Sequence, residues 1–355
     1  MKKLLLICLT LLMALSLWAC SSNASPADEP RTIEIETNYL EEGINYWLGL
    51  NGAVYDKEKA RESFSKAVQQ GDPDAYYWLG QIRETDIDPQ RKDEILQLYQ
   101  KGIDEGSPLG KYGMALLYQF GWGVELDSEK ARSLFIEAAD AGCDFGFIGL
   151  GTLYYDGQGV QKDDAKALEY FEKAFESSDP IARMDAQAYI ASVYEKSEEL
   201  KDNEKALQYY TEAAQAGSIS AIRSLSNAYL NGTIVEQDNA KACEWFEKEI
   251  SHGSWYNYGI AFLYGYNGEP DYPKALENFQ REIKEGKGAP YAMLAIGYMT
   301  TNGLGVESDQ QKAVEWYKQV IEVPDHTTIR SLIWLNSGSI IWNQNSKRNS
   351  DPQTK

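Results

Sequence analysis

The sequence predicts an all-α fold, an α-solenoid of about eight helix-turn-helix repeats with a C-terminal capping helix. Three observations predict it. A short apolar pattern recurs at a nearly constant interval, a second amphipathic segment rich in small residues lies between successive copies, and a glycine-containing connection joins the two. The recurring pattern is an Ala or Ile with an aromatic four places later: Ala60/Phe64, Ile95/Tyr99, Ala131/Phe135, Ala167/Phe171, Ala206/Tyr210, Ala242/Phe246, Ala275/Phe279 and Ala313/Tyr317. The first members lie 33 to 39 residues apart, with a mean near 36. Such self-similarity marks a stacked array, because one hairpin of that size cannot bury its apolar faces alone.

The N-terminal element precedes the array. Lys2 and Lys3 lead into an apolar run from Leu4 to Trp18. That run is short for a membrane span, which needs about 20 residues, and with its basic start it reads as a secretory signal peptide over 1–19. Leu17-Trp18-Ala19-Cys20 resembles the lipobox of bacterial lipoproteins, which implies lipidation of Cys20. Cleavage after Ser22-Asn23-Ala24 is the alternative and would leave a soluble periplasmic or secreted chain. Residues 20–37 are polar and read as a flexible tether. Several acyl chains on Cys20 would give stable membrane attachment. By resemblance to Gram-negative lipoproteins, Ser21 after the cysteine favours the outer membrane.

Within the array, which we bound at 38–325, the aromatic pair belongs to the second helix of each hairpin, helix B. A third apolar residue follows four places on (Val68, Ile103, Ala139, Phe175, Ala214, Ile250, Ile283, Ile321), so i, i+4 and i+8 share one side of the helix. Helix A carries small residues at close intervals with a tyrosine beyond them. Gly146, Leu150, Gly151 and Tyr154 correspond to Ala186, Ile190, Ala191 and Tyr194, and to Ala221, Leu225, Ser226 and Tyr229. Small residues there let two helix backbones approach closely. The connection reads Gly121-Trp122-Gly123-Val124, Gly157-Gln158-Gly159-Val160 and Gly303-Leu304-Gly305-Val306. The first glycine can close helix A in a left-handed conformation, and Asp127, Asp163 or Asp309 can cap helix B. No preceding strand pattern, third glycine or Lys-Ser/Thr accompanies these glycines, which excludes a phosphate loop. Ile329, Leu332, Ile333, Trp334, Ile340, Ile341 and Trp342 predict a capping helix over 326–345, and 346–355 reads as a disordered tail.

The segment Leu150-Gly151-x-x-Tyr154-x-x-Gly157-x-Gly159-Val160, followed by Lys166-Ala167, Tyr170-Phe171 and Lys173-Ala174, resembles the Sel-one-like repeat, a relative of the tetratricopeptide repeat. The resemblance runs over about residues 38 to 322. It implies a right-handed superhelix whose A helices line a concave surface, and a role in binding proteins rather than in catalysis.

Composition narrows the chemistry. Lys+Arg 34 against Asp+Glu 54 gives a formal charge of −20, and loss of Lys2 and Lys3 with the leader makes it −22. That balance repels phosphate backbones, and no basic patch offsets it, so no nucleic-acid partner is expected. Two histidines, His252 and His326, leave little for metal or general-base work, and we expect no metal and no cofactor. Cys143 and Cys243 lie 100 residues apart, which predicts buried free thiols. Counting two, six and nine places from the leading small residue of helix A predicts an inner stripe of Tyr77, Gln81, Tyr112, Gln119, Thr152, Tyr155, Arg223, Asn227, Tyr258 and Tyr298, with Tyr112, Tyr155 and Arg223 in one partner groove. Such side chains suit peptide or carbohydrate contacts. The expected function is a non-enzymatic, lipid-anchored scaffold that binds a protein or peptide in the bacterial envelope. A carbohydrate or peptidoglycan-binding module is the alternative, and a cell-wall hydrolase the third reading.

Overall fold

A computed structural model describes residues 37–84, 91–266, 268–285 and 289–321. The leader, Cys20, nearly all of the tether, the C-terminal capping helix and the tail lie outside the described residues. The chain divides into two units, Met1–Thr37 and Asn38–Lys355, and every described helix belongs to the second. The described residues hold sixteen helices and no strand. The A helices are α1 (Tyr39–Leu48), α3 (Ala75–Glu84), α5 (Pro108–Phe120), α7 (Phe145–Asp156), α9 (Pro180–Lys196), α11 (Ile219–Asn231), α13 (Tyr256–Tyr264) and α15 (Ala289–Asn302). The B helices alternate with them: α2 (Lys57–Gln69), α4 (Arg91–Asp104), α6 (Ser128–Asp140), α8 (Asp164–Phe175), α10 (Asn203–Gln215), α12 (Asn239–Ile250), α14 (Tyr272–Glu285) and α16 (Gln310–Ile321). Each helix packs on the next along the chain, so eight hairpins stack as an all-α solenoid.

The i, i+4 pairs form the buried seam of every hairpin. All eight first members are buried, and so is every aromatic from Phe64 to Phe279; Tyr317 in the last hairpin is half-buried. Opposite each ring, helix A presents a small buried residue: Gly43, Gly80, Ala115, Gly151, Ala191, Ser226, Gly259 and Gly297 in chain order. The reason is steric. A Cβ on Gly151 would stand 2.4 Å from the Phe171 ring, and one on Gly80 would stand 2.3 Å from Tyr99. Interiors at crystal-like density have no slack for that. The spacing in the sequence thus records where a ring must enter the facing helix.

The A-to-B connection is equally regular. Gly121 and Gly157 end their helices with φ of 65° and 69°, a region L side chains rarely adopt. Asp127 and Asp163 then accept the N–H of Lys130 and Lys166 at 2.9 and 2.8 Å, while their own N–H groups donate to the carbonyls of Tyr118 and Tyr154. Asp309 accepts from Gln311 and Lys312. The lysine in this motif swings back over the tyrosine of helix A: Lys130 on Tyr118 and Lys166 on Tyr154, at 4.1 and 4.3 Å from the ring centroid. Aspartate, lysine and tyrosine close five of the described connections in this way, with Asp56, Asp127, Asp163, Asp202 and Asp238. Cys143 and Cys243 are buried free thiols.

An ordinary solenoid would confine contacts to sequence neighbours. This one does not. The connection after α1 reaches the junction between α12 and α13, some 200 residues along the chain. The amide of Tyr55 donates to Ser251 O at 3.2 Å, and Nδ1 of His252 lies 2.5 Å from Leu48 O. A carbonyl only accepts, so that nitrogen carries the proton. The Tyr55 ring lies edge-on to Trp255, with centroids 6.3 Å apart, and against Trp47 at 5.6 Å. Gly49 and Gly217 sit where a Cβ would strike Ser251 O and Leu50. The superhelix therefore turns tightly enough for its first hairpin to rest on its sixth and seventh. Beside this seam a cleft of about 490 Å³ is lined by Leu50, Asn51, Ile181, Met184, Gln187 and His252, among others.

Candidate functional site

The inner face is built by the A helices, because the small residue of each one fixes which side meets helix B. The positions three places before it, one place after it and four places after it share one flank of the helix, the flank that the sequence assigns to the inner face. In α3 these are Tyr77, Gln81 and Glu84; in α5, Tyr112, Leu116 and Gln119; in α7, Ile148, Thr152 and Tyr155. In α9 they are Ala188, Ser192 and Glu195, and in α11, Arg223, Asn227 and Leu230.

Several of the stripe residues connect one hairpin to the next. Tyr77 is buried, with its ring 5.7 Å from Tyr99 and 5.8 Å from Tyr112. Tyr112 is half-buried and touches Phe135 and Phe145 as well. Gln81 donates to Tyr99 Oη at 2.9 Å and to Glu84 at 3.2 Å. Gln119, only 1% exposed, donates to Gln158 Oε1 at 2.6 Å and to Thr152 Oγ1 at 3.3 Å. Tyr155 Oη meets the Ser192 hydroxyl and carbonyl at 3.1 and 3.2 Å, and burial raises its pKa. Arg223, half exposed, lies 3.6 Å from the fully buried Glu249. Asn257 and Ser254 also donate to Glu249, yet burial still pushes its carboxyl up. Asn227 is exposed, and Tyr298 is half-buried.

Tyr258 stands apart from the others. It packs on Phe262 at 4.7 Å and lines a separate cleft of about 340 Å³ with Cys243, Glu247 and Lys274. The register of α13 gives its inward place to Tyr256, which stacks on Phe279 and Tyr291. This helix has no cap of its own. Glu282, from the following helix B, accepts the N–H groups of Trp255 and Tyr256 instead.

Tyr112, Tyr155 and Arg223 belong to three different hairpins, so they mark a track along the inner face rather than a single pocket. The stripe does not include Glu84, Ser192, Glu195, Asp185 or Tyr189. Glu84 accepts from Tyr99 at 2.9 Å and Glu195 from Tyr210 at 2.8 Å. Asp185 and Tyr189 lie on α9, at 17 residues the longest of the helices. Among the described residues no group of three or more His, Cys, Asp or Glu is arranged to hold a metal, and no helix is long and apolar enough to cross a membrane. The Cys143 thiol, pushed up to about 12 by burial, is a poor nucleophile.

Over 273 residues the chain is 24% identical to chitin synthase regulatory factor 3 of Schizosaccharomyces pombe, an alignment covering 72% of this chain and 28% of that protein. The chain thus spans less than a third of the length of this curated relative. Among solved structures it is similar to a Sel1 repeat protein from Oxalobacter formigenes, at 25% identity and a TM-score of 0.49, covering 74% of this chain and 99% of the other. It is also similar to a protective antigen of uropathogenic Escherichia coli displaying an SLR fold, at 26% identity and a TM-score of 0.43, covering 89% and 72%. The Sel1 repeat model matches residues 43–72, 108–143, 148–179, 185–218, 219–254, 256–282 and 290–321. The α3–α4 hairpin lies between matches and folds like its neighbours, with Ile95 and Tyr99 in the seam. With the repeat matched over most of its length, the chain belongs to the Sel1 repeat family, whose solenoids are in general protein-interaction scaffolds.

Proposed function

We propose that this chain is a lipid-anchored scaffold of the bacterial envelope that holds a protein partner along the inner face of its solenoid. One observation carries the binding half of the proposal. The same register of successive A helices repeats tyrosine, amide, hydroxyl and acidic side chains among apolar ones, on a backbone pinned at the Tyr55–Trp255 seam. A surface formed before the partner arrives loses little ordering entropy on binding. The anchoring half rests on Leu17-Trp18-Ala19-Cys20 after an apolar leader. A relative named as a regulatory factor of another enzyme is compatible with a module that acts through other proteins.

The test has two arms. Labelled palmitate should enter the wild-type chain and not Cys20→Ser, and the variant should leave the membrane fraction. Affinity capture from solubilised envelopes should recover a stoichiometric protein, and a folded variant with Tyr112, Tyr155 and Arg223 all changed to alanine should lose it. Recovery of glycan fragments in place of a protein would support the carbohydrate-binding alternative. Capture unchanged by the triple variant would overturn the assignment of the inner face.

A further inference from the structure

Asp185 is a carboxylate of the inner face without a partner among the described residues. Glu84 and Glu195 accept from tyrosines, Glu249 lies by Arg223 and Asn257, and Glu282 caps α13. Asp185, half-buried in the first half of α9, makes no hydrogen bond or ion pair among the described residues. The charge acting on it, Asp179 on the approach to the same helix, has the same sign.

Three phenols lie within reach of its charge. Tyr189 lies one turn further along α9, with 36% of its surface exposed and its ring stacked on Phe171 at 4.9 Å. Tyr77 and Tyr112, from α3 and α5, share one apolar cluster with Ile181, one turn before Asp185, and the negative charge of Asp185 acts on all three phenols. None of their hydroxyls makes a hydrogen bond among the described residues. An uncompensated carboxylate beside electron-rich ring faces is a poor environment for an anion and a good one for a cation. No lysine or arginine of the described chain pairs with it, although the chain as a whole carries a charge of −20.

We propose that Asp185, with Tyr77, Tyr112 and Tyr189, receives a lysine or arginine side chain from the partner protein's peptide segment. This rests on the reading of the inner face as the binding surface. The ammonium or guanidinium group pairs with the Asp185 carboxylate in a charge-assisted contact, and its alkyl stem lies against the tyrosine rings. The two rings are already positioned by the fold, since Tyr77 stacks on Tyr99 and meets Tyr112 at a tilt.

The experiment is a random peptide library selected on the full-length protein, with the selected peptides titrated against wild type, Asp185→Asn and Asp185→Ala. We expect enrichment of Lys or Arg at one position. We also expect a loss of tenfold or more in affinity on Asp185→Asn, and the same loss, without further loss in combination, when that basic residue becomes norleucine or citrulline. Asn is nearly isosteric and removes an unpaired charge, so the variant should fold, which circular dichroism would confirm. A benzophenone amino acid in place of Tyr189 should crosslink to the partner peptide. Crosslinking to this chain's own Arg330, Lys347 or Arg348, or to a second copy, would overturn the assignment of a partner. Selected peptides without a basic residue, no enrichment, or equal binding by Asp185→Asn would overturn the site. The envelope capture experiment decides the scaffold reading separately.

Discussion

The contact between Tyr55 and Trp255 is a direct measure of whether the solenoid closes on itself. In a stacked array whose units touch only neighbours, residues 200 positions apart are energetically independent. Here the two rings meet edge-on at 6.3 Å, and both side chains are buried, at 8% and 5% exposure. Tyr55→Ala and Trp255→Ala should each destabilise by about 3–5 kcal/mol, the usual cost of truncating a buried aromatic. The informative quantity is the coupling. An aromatic pair in this geometry contributes about 0.5–1.5 kcal/mol beyond area burial, so the double variant should fall short of the sum of the singles by about 1 kcal/mol. Urea unfolding of the four proteins, followed by circular dichroism, gives that number. A coupling under about 0.3 kcal/mol, the ordinary scatter of additivity between distant sites, would refute the closed geometry.

Other perturbations read the local rules. Asp163→Ala removes the cap from α8 and should cost about 1 kcal/mol, visible as a lower urea midpoint. Gly151→Ala drives a methyl group into the Phe171 ring at 2.4 Å and should cost about 1–3 kcal/mol by overpacking, in the same assay. Glu282→Ala leaves the Trp255 and Tyr256 amides without their acceptor and should cost about 2–4 kcal/mol, whereas Glu282→Gln keeps an acceptor and should cost less. Asp185 supplies the pH dependence. Burial holds its carboxyl at about 7 against an ordinary value near 3.8, so the folded state favours the protonated form. The unfolded chain releases the proton first, and stability falls as pH rises from about 4 through about 7. The full difference corresponds to about 4 kcal/mol, and water reaching a half-buried carboxylate reduces this to about 1–2 kcal/mol. The facing groups Tyr77, Tyr112, Tyr189 and Cys143 all titrate far above that window, leaving Asp185 and the like-charged Asp179 that caps its helix. Asp185→Asn should therefore be more stable than wild type at pH 8 and nearly equal at pH 4, by thermal melts across pH.

The hairpins were legible in the sequence because short-range rules recur along it, the aromatic pair in all eight and the others in most. An aromatic four places after a small residue, an aspartate before helix B and a glycine after helix A each have a local physical cause, and recurrence separates them from chance. Even the α3–α4 hairpin, with Ile95 in place of alanine, shows itself through its aromatic. The seam had no such signal. It follows from small rotations summed over five or six units, and no local pattern encodes a sum. Asp185 was hidden for a different reason. An acid in an amphipathic helix reads as a solvated residue, and nothing in its neighbours along the chain shows that α3 and α5 place rings against it. The reading of Tyr258 as inward-facing does not follow the register of α13, whose small seam residue Gly259 gives that place to Tyr256.

The extra length of α9 connects the seam and the acid cluster. Its first turn brings Ile181 and Met184 to the cleft shared with Leu50 and His252, and the same turn carries the chain on to Asp185. A movement of the first hairpin away from the seam would change the packing around Ile181, which is part of the core formed by Trp47, Tyr77 and Tyr99. Tyr77 is both a member of that core and a wall of the cluster around Asp185. Closure and the cation site therefore share side chains. Pinning the first hairpin keeps Trp47 in the core that also holds Tyr77. A ligand can favour one state of a fold only by the interactions it makes in that state, so a basic side chain at Asp185 would favour closure only through what Tyr77 shares with the core of Trp47 and Tyr99.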